Sequence, residues 1–388
     1  MLKTINRLIP LFLLALSIGC GDNLPFAADE DQSPLLKPGD AIPNQYIVRL
    51  KEDLATSLVP DVASDVAKAH TATVTHVYDK TVKGFSATMT SAKAAEMAAD
   101  ARVLSVEPDR VVALAPPPGK GKPGSGDGGG GTPTAQETPW GITEVGGSSD
   151  GTGGVVWILD TGIDLDHPDL NVDVARSRNF VSKGKNSPDD GNGHGTHVAG
   201  IIGALNNSIG VVGVAAGTTV IAVRVLDNAG SGSYSGIIAG LDYVATNGTA
   251  GDVVNMSLGG PISASFDAAV LALADAGFHI AVAAGNDGQD ASNESPAHLG
   301  NNHARIYTVS AHDQSGCLTS WSNYGLDVDY AAPGLNILSL WKGGGTNTIS
   351  GTSMATPHVA GLLVLSSLNS SGTACNDPDG LPDPRAHK

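Results

Sequence analysis

Beyond about Pro139 the chain repeats one pattern: a short apolar run, a turn, then a stretch long enough for a helix. The runs 155–159, 220–225, 253–256, 280–284 and 306–309 are almost wholly apolar rather than alternating, so strands made from them must be covered on both faces. Helical candidates at 196–205, 233–245 and 264–276 lie between them. Buried strands separated by helices define an α/β fold with a doubly wound, mostly parallel sheet, and in such sheets working residues gather at the carboxyl ends of the strands.

That pattern fills only part of 388 residues, so other segments precede it. Residues 42–115 have their own rhythm. The stretches 45–50, 83–89 and 103–107 read as strands and 92–99 as a helix, which suggests a small α+β domain. Residues 116–134, from Pro116-Pro117-Pro118-Gly119 to Gly128-Gly129-Gly130-Gly131, read as a linker open to proteolysis, leaving 135–388 as the large domain. Residues 1–20 read as an export signal: Lys3 and Arg7, an apolar stretch at 8–18, then Gly19 and Cys20. Eleven residues are too few to span a bilayer. Ser17-Ile18-Gly19-Cys20 resembles a bacterial lipoprotein box, which makes a lipid on Cys20 the one expected route to a membrane. With 22 Lys+Arg against 39 Asp+Glu, the net charge of −17 argues against nucleic acid as a partner. Three cysteines exclude a disulfide framework and a multi-cysteine metal site.

Chemistry-bearing residues stand in four places. The 155–159 strand ends on Asp160, with Thr161-Gly162 turning the chain away; Asp164, Asp166 and Asp169 follow in what reads as a solvated loop. His194 and His197 begin a helix of small residues, which leaves His194 at its exposed start. Their spacing is one short of the zinc-peptidase pattern and lacks its glutamate, so a metal pair is not expected. The 280–284 strand runs into Gly285-Asn286, placing an amide donor at a sheet edge. Ser353 starts an apolar helix, in which Pro357 is expected to fall in the first turn, where no backbone bond is lost. Singly, Asp160 reads also as a turn cap, Gly285-Asn286 as a turn and Ser353 as an N-cap.

Asp, His and Ser in that order are the order of subtilisin, and no G-x-S-x-G elbow surrounds Ser353. Residues 139–369 resemble subtilisin-like serine peptidases, most closely the proteinase K branch. The resemblance is carried by Asp160-Thr161-Gly162, His194-Gly195-Thr196-His197-Val198-Ala199-Gly200 and Gly351-Thr352-Ser353-Met354-Ala355-Thr356-Pro357-His358. It implies a serine endopeptidase needing no cofactor for catalysis, acting on extended polypeptides. Ser353 would be the nucleophile, His194 the general base, Asp160 its orienting carboxylate and Asn286 the oxyanion donor, while His197 would pack. Ser257-Leu258-Gly259 and Ala283-Ala284-Gly285 match the walls of the P1 pocket, and Gly230-Ser231-Gly232 the edge that pairs with substrate. Gly84-Phe85-Ser86-Ala87 and Val106-Glu107-Pro108-Asp109 likewise make 42–115 resemble an inhibitor-type propeptide, which implies a self-processing zymogen secreted after cleavage between residues 115 and 138.

Four lesser expectations remain, the first two implied by the same resemblance. Glu294 falls where the P1 pocket has its floor and could favour Lys or Arg, although a surface rotamer is the simpler expectation. Asp329 matches a calcium position of some relatives. Cys317 and Cys375 are the thiols left after the leader, and an exported chain permits a disulfide between them. Only 369–388 follow the Ser353 helix, fewer segments than the proteinase K branch has there, so the expectation is either a core without its terminal helix or strand or a shortened variant. The alternative functions are a catalytically silent binding protein on the same fold, which loss of a triad residue would favour, and an esterase, which would need no strand-pairing edge.

Overall fold

The computed structural model describes residues 36–114, 135–182 and 186–388; the expected export signal, Cys20 and the 116–134 linker lie outside them. The small domain comprises β1 (Ala41–Leu50), α1 (Val59–Ala69), β2 (Thr73–Tyr78), β3 (Gly84–Thr88), α2 (Ser91–Met97) and β4 (Val103–Ala113). Alternation along β1 explains its two-sided packing. Val48 and Leu50 face a core with Val59, Val66 and Met97 of α1 and α2, while Ile47 faces the other way, into the large domain.

The large domain continues with α3 (Trp140–Glu144), β5 (Ser149–Asp150), β6 (Val155–Asp160), β7 (Asn171–Val172), β8 (Arg178–Asn179), α4 (His194–Gly203), β9 (Ala215–Ala216) and β10 (Thr219–Arg224). Next come β11 (Ser231–Ser233), α5 (Tyr234–Asn247), β12 (Val253–Met256), β13 (Gly260–Pro261), α6 (Ala264–Asp275), β14 (His279–Ala283) and β15 (Glu294–Ser295). The chain closes with β16 (Ile306–His312), β17 (Tyr330–Pro333), β18 (Ile337–Trp341), β19 (Gly345–Ile349), α7 (Thr352–Val364), β20 (Asn369–Thr373) and β21 (Pro384–His387). The main sheet has the order β20-β21-β17-β16-β14-β12-β6-β10-β7, parallel except for β20. Val156 and Ile158 of β6 pack on the α4 and α7 side, Trp157 and Leu159 on the α5 and α6 side. The sheet is therefore covered on both faces, as its apolar strands require.

The short C-terminus does not leave the core without a terminal strand. β21 adds a parallel partner to β17, and β20 folds back on it. Asp383 is buried and accepts from Ser310 Oγ at 2.7 Å, and Cys317 and Cys375 form a disulfide that ties the tail down. Polar composition hid this edge pair, because most of β20 faces solvent. Among the described residues no helix is long and apolar enough to cross a membrane.

Candidate active site

Asp160 is the last residue of β6 and is fully buried. Its carbonyl accepts from Val225 and Leu226 N–H, which locks the strand end. The carboxylate receives Thr161 N–H at 2.7 Å on Oδ1 and His194 Nδ1 at 2.8 Å and 2.9 Å on its two oxygens. That bond puts the imidazole proton on Nδ1 and leaves Nε2 able to accept one. His194 is the first residue of α4, and its side chain is only 11% exposed, contrary to the expectation of an exposed start. The reason is local: Gly193 has φ +116°, and a Cβ there would meet the Trp341 ring at 2.3 Å, so the chain enters the helix beneath that ring. Burial lowers the His194 pKa, but the charge and hydrogen bond of Asp160, helped by Asp190, outweigh it and raise the pKa overall.

Asp190 was not singled out from sequence. Its Oδ1 accepts from Thr161 Oγ1 and from the N–H groups of Asn192 and Gly193; Oδ2 accepts from Thr196 N–H and Oγ1. A buried carboxylate at the positive end of α4 thus fixes the loop carrying His194. An Asp in Asp190-Gly191-Asn192-Gly193, just ahead of a helix, was the available signal. Asp164 and Asp169 are not solvated either. Asp164 Oδ2 accepts from the amides of Gly343 and Gly344, and Asp169 from Asn207 and Val211, with burial pushing Asp169 up to about 6.

Ser353 is the second residue of α7, and Pro357 lies four residues further on, beyond the first turn. The proline therefore does remove a helical bond, the one its N–H would make to the Ser353 carbonyl. Ser257 Oγ takes that place, donating to Ser353 O at 2.9 Å, and is itself oriented by Asn255 Nδ2 at 2.9 Å. In return the Ser353 hydroxyl donates to the Ser257 carbonyl at 3.2 Å. Asn286 follows β14, and its Oδ1 accepts from both the N–H and the Oγ1 of Thr352 at 2.9 Å. This turns Nδ2 toward the start of α7. The Asn286 Nδ2 and the Ser353 backbone N each lie 3.6 Å from where a Gly351 Cβ would be, so two donors flank one small space.

Comparison with known sequences gives this cluster its family. The family model described as Subtilase family matches residues 151–373, and that described as Peptidase inhibitor I9 matches residues 45–115. The chain belongs to the subtilase family. It is similar to the cuticle-degrading protease of Metarhizium anisopliae, 38% identical over 362 residues that cover 88% of this chain and 85% of the relative. Proteinase R of Parengyodontium album is 36% identical over 363 residues, covering 89% and 85%. The crystal structure of a cold adapted subtilisin-like serine proteinase shares 34% identity at a TM-score of 0.54, covering 64% of this chain and 96% of that one. The protein is thus a subtilisin-like serine endopeptidase with an inhibitor-type propeptide domain.

In this subtilase the edge Gly230-Ser231-Gly232 pairs with the propeptide domain. β11 joins β4 antiparallel, with Ser231 opposite Ala113, Gly232 opposite Val112 and Ser233 opposite Val111, and Leu114 N–H donates to Gly230 O at 2.9 Å. A Cβ at Gly232 would meet Val225 O at 2.3 Å, so that position must be glycine for the edge to lie flat. Two carboxylates of β4 reinforce the contact. Glu107 Oε1 accepts from Ser263 Oγ and Ser265 N–H at the start of α6, and Asp109 accepts from Ser235 N–H and Oγ at the start of α5. Both sit where helix dipoles favour negative charge. From the other side, Asp242 of α5 accepts from the N–H groups of Lys80 and Thr81.

Ser257-Leu258-Gly259 and Ala283-Ala284-Gly285 extend from the adjacent ends of β12 and β14. Glu294 is not a surface residue. It is half-buried beside them, and burial first, then Asp287, pushes its carboxyl up to about 7 against the lowering effect of Gln289 and Asn323. His197 is fully buried, with Nε2 bonded to the carbonyls of Ile337 and Asn347 and its pKa lowered to about 3 by burial. Asp329 uses both oxygens on amides, Oδ1 on Asn301 N–H and Oδ2 on Thr308 N–H. Among the described residues no group of three or more His, Cys, Asp or Glu is arranged to hold a metal.

Proposed function

We propose that this subtilase is an exported, self-processing zymogen that hydrolyses extended polypeptides through Ser353, His194 and Asp160. The observation that carries the reading is the buried Asp160–His194 pair, with its Nε2 able to accept a proton, at the carboxyl end of the parallel sheet, where Asn286 follows β14 and bonds the start of the Ser353 helix. Ser353 Oγ turns about one bond from the Ser257 carbonyl to give its proton to His194 Nε2 and attack the scissile carbonyl. Asn286 Nδ2 and the Ser353 N–H hold the developing oxyanion, and His194 then protonates the leaving amine. Asp160 holds the tautomer and stabilises the imidazolium. The acyl-enzyme is released by water, and no cofactor enters the cycle.

Substrate binds as an added strand on Gly230-Ser231-Gly232, the place β4 occupies before maturation. Residues 42–115 act as propeptide, 116–134 as the cleaved linker and 135–388 as the enzyme. Export rests on the basic and apolar leader and agrees with a disulfide, which persists in oxidising compartments. A lipid on Cys20 would tether only the precursor.

Intact mass and N-terminal sequencing of the wild type beside Ser353→Ala test the reading. Trimming between residues 115 and 138 in the wild type alone supports it. If both folded proteins stay uncut, a silent binding protein replaces it.

A further inference from the structure

We infer that Glu294 selects the residue on the acyl side of the cut bond, so that this enzyme cleaves after lysine and arginine. The inference rests on the peptidase reading above and names its substrate class. β12 and β14 are parallel neighbours, and their carboxyl ends run into Ser257-Leu258-Gly259 and Ala283-Ala284-Gly285. A crevice beyond such strand ends is where α/β sheets bind ligands. Just beyond these two segments β13 and β15 form an antiparallel pair, with Pro261 opposite Glu294.

Two glycines report where the Glu294 carboxylate reaches. A Cβ built at Gly259 would lie 3.6 Å from Glu294 Oε2, and one built at Gly285 would lie 2.7 Å from the same oxygen. One oxygen therefore lies within reach of both walls. The other is anchored: Oε1 accepts from Gln289 Nε2 at 2.9 Å and from Asn323 Nδ2 at 3.2 Å. Asn323 also donates to the Ala284 carbonyl at 2.9 Å, which ties the carboxylate to the wall it serves. The carboxyl is thus held by Gln289 and Asn323 through Oε1 and lies against the Asp287 carboxyl, with Oε2 next to Gly259 and Gly285.

The groups acting on Glu294 are Asp287 and Gln289 from the loop after β14 and Asn323 from the loop after β16, and none is a cation. Tyr234 of α5 also feels its charge, together with those of Asp267 and, from the propeptide strand β4, of Glu107 and the cation Arg110, so the cation acting there leaves with the propeptide. Two carboxyl groups with no positive partner make a site short of one positive charge. An ammonium or guanidinium at the end of a long side chain supplies it, whereas a large apolar side chain would bury Oε2 without a partner. A carboxyl that ionises near neutrality also gives the selectivity a pH signature. Binding a cation favours the ionised form, so preference for lysine over an uncharged side chain of equal length grows as pH rises through about 7. His194 titrates in every substrate alike and cancels from that ratio.

The test compares kcat/KM of the self-processed enzyme on peptides that differ only at this residue: lysine, arginine, norleucine and phenylalanine. We expect lysine and arginine to exceed norleucine by about tenfold or more, and Glu294→Gln to erase most of that ratio, chiefly through slower lysine and arginine cleavage. Circular dichroism and a thermal melt of the variant report that it is folded. A lysine-to-norleucine ratio at or below one in the wild type, or a ratio untouched by Glu294→Gln, overturns the inference and leaves the peptidase reading standing. Failure of the folded wild type to cut any of the peptides overturns both.

Discussion

Asp160 and Asp109 are both carboxylates sunk in the large domain, yet only one is built into it. Asp160 is the end of a central strand, and each partner described above, Thr161, His194 and the 225–226 turn, belongs to the same domain. Asp109 arrives on β4 and meets two groups of Ser235 at a helix start that water could otherwise satisfy. The same contrast holds for their surroundings. The candidate catalytic cluster is braced by Asp190, Thr352 and Ser257, whereas the propeptide domain is held by one strand pairing, two carboxylate caps, the amides of Lys80 and Thr81 on Asp242, and an apolar face that Tyr78, Val82 and Val112 share with the large domain. A permanent site and a removable one thus use the same chemistry. They differ in whether the partners left behind can be rescued by solvent.

Breaking the permanent side should have the largest effect. Asp160→Asn keeps the volume but reverses the donor, so His194 presents the wrong tautomer and kcat should fall by about 10⁴. The pH profile sharpens the point. Only neutral His194 can take the serine proton, and its pKa is raised from 6.5, so wild-type activity should rise with pH through a midpoint above that value. Burial acts against the charged imidazole and Asp160 acts for it; removing the carboxylate's charge should move the midpoint down. A profile from pH 5 to 9 whose midpoint is unmoved in Asp160→Asn would refute this electrostatic assignment.

A smaller loss should follow from Ser257→Ala. It leaves the Ser353 carbonyl without the partner that Pro357 obliges it to find, and the start of α7 is then held less well. We expect kcat to drop by about tenfold with KM little changed, because the nucleophile is misplaced rather than the substrate. Unchanged kcat in a folded variant would make the Ser257 bond incidental.

How much of this was legible in the sequence follows from how local each signal is. The five central strands were readable because continuous apolar runs admit few other structures, as were the helices α2, α4, α5, α6 and α7, and Asp160, His194, Asn286 and Ser353 stood out because each lies within three residues of an end of such an element. α1 was overlooked although Val59, Val62, Ala63, Val66 and Ala67 carry helical spacing, and β2 although Thr73–Tyr78 is rich in β-branched residues. Other features had no local signal. That Glu294 turns inward depends on Gln289 and on Asn323, 29 residues away, and the Ser257–Ser353 bond joins residues 96 apart. The roles of Glu107 and Asp109 as caps depend on helices that begin well over 100 residues later.

The removable side should yield by the smallest steps. Glu107→Ala and Asp109→Ala each delete one cap and should weaken the cleaved propeptide's hold by about 1 kcal/mol, roughly fivefold in the rate at which active enzyme appears after processing. pH tests the second. Burial raises the Asp109 pKa above 3.8 in the complex, so the complex binds a proton more tightly than the freed propeptide does. The contact is then firmest in acid and loosens as pH rises through that raised value, and Asp109→Asn should remove this dependence. Release followed by size exclusion from pH 4 to 8 reads this directly. If Asp109→Asn releases its propeptide with the wild-type pH dependence, the strand pairing and apolar face alone govern release, and the two carboxylates differ only in origin.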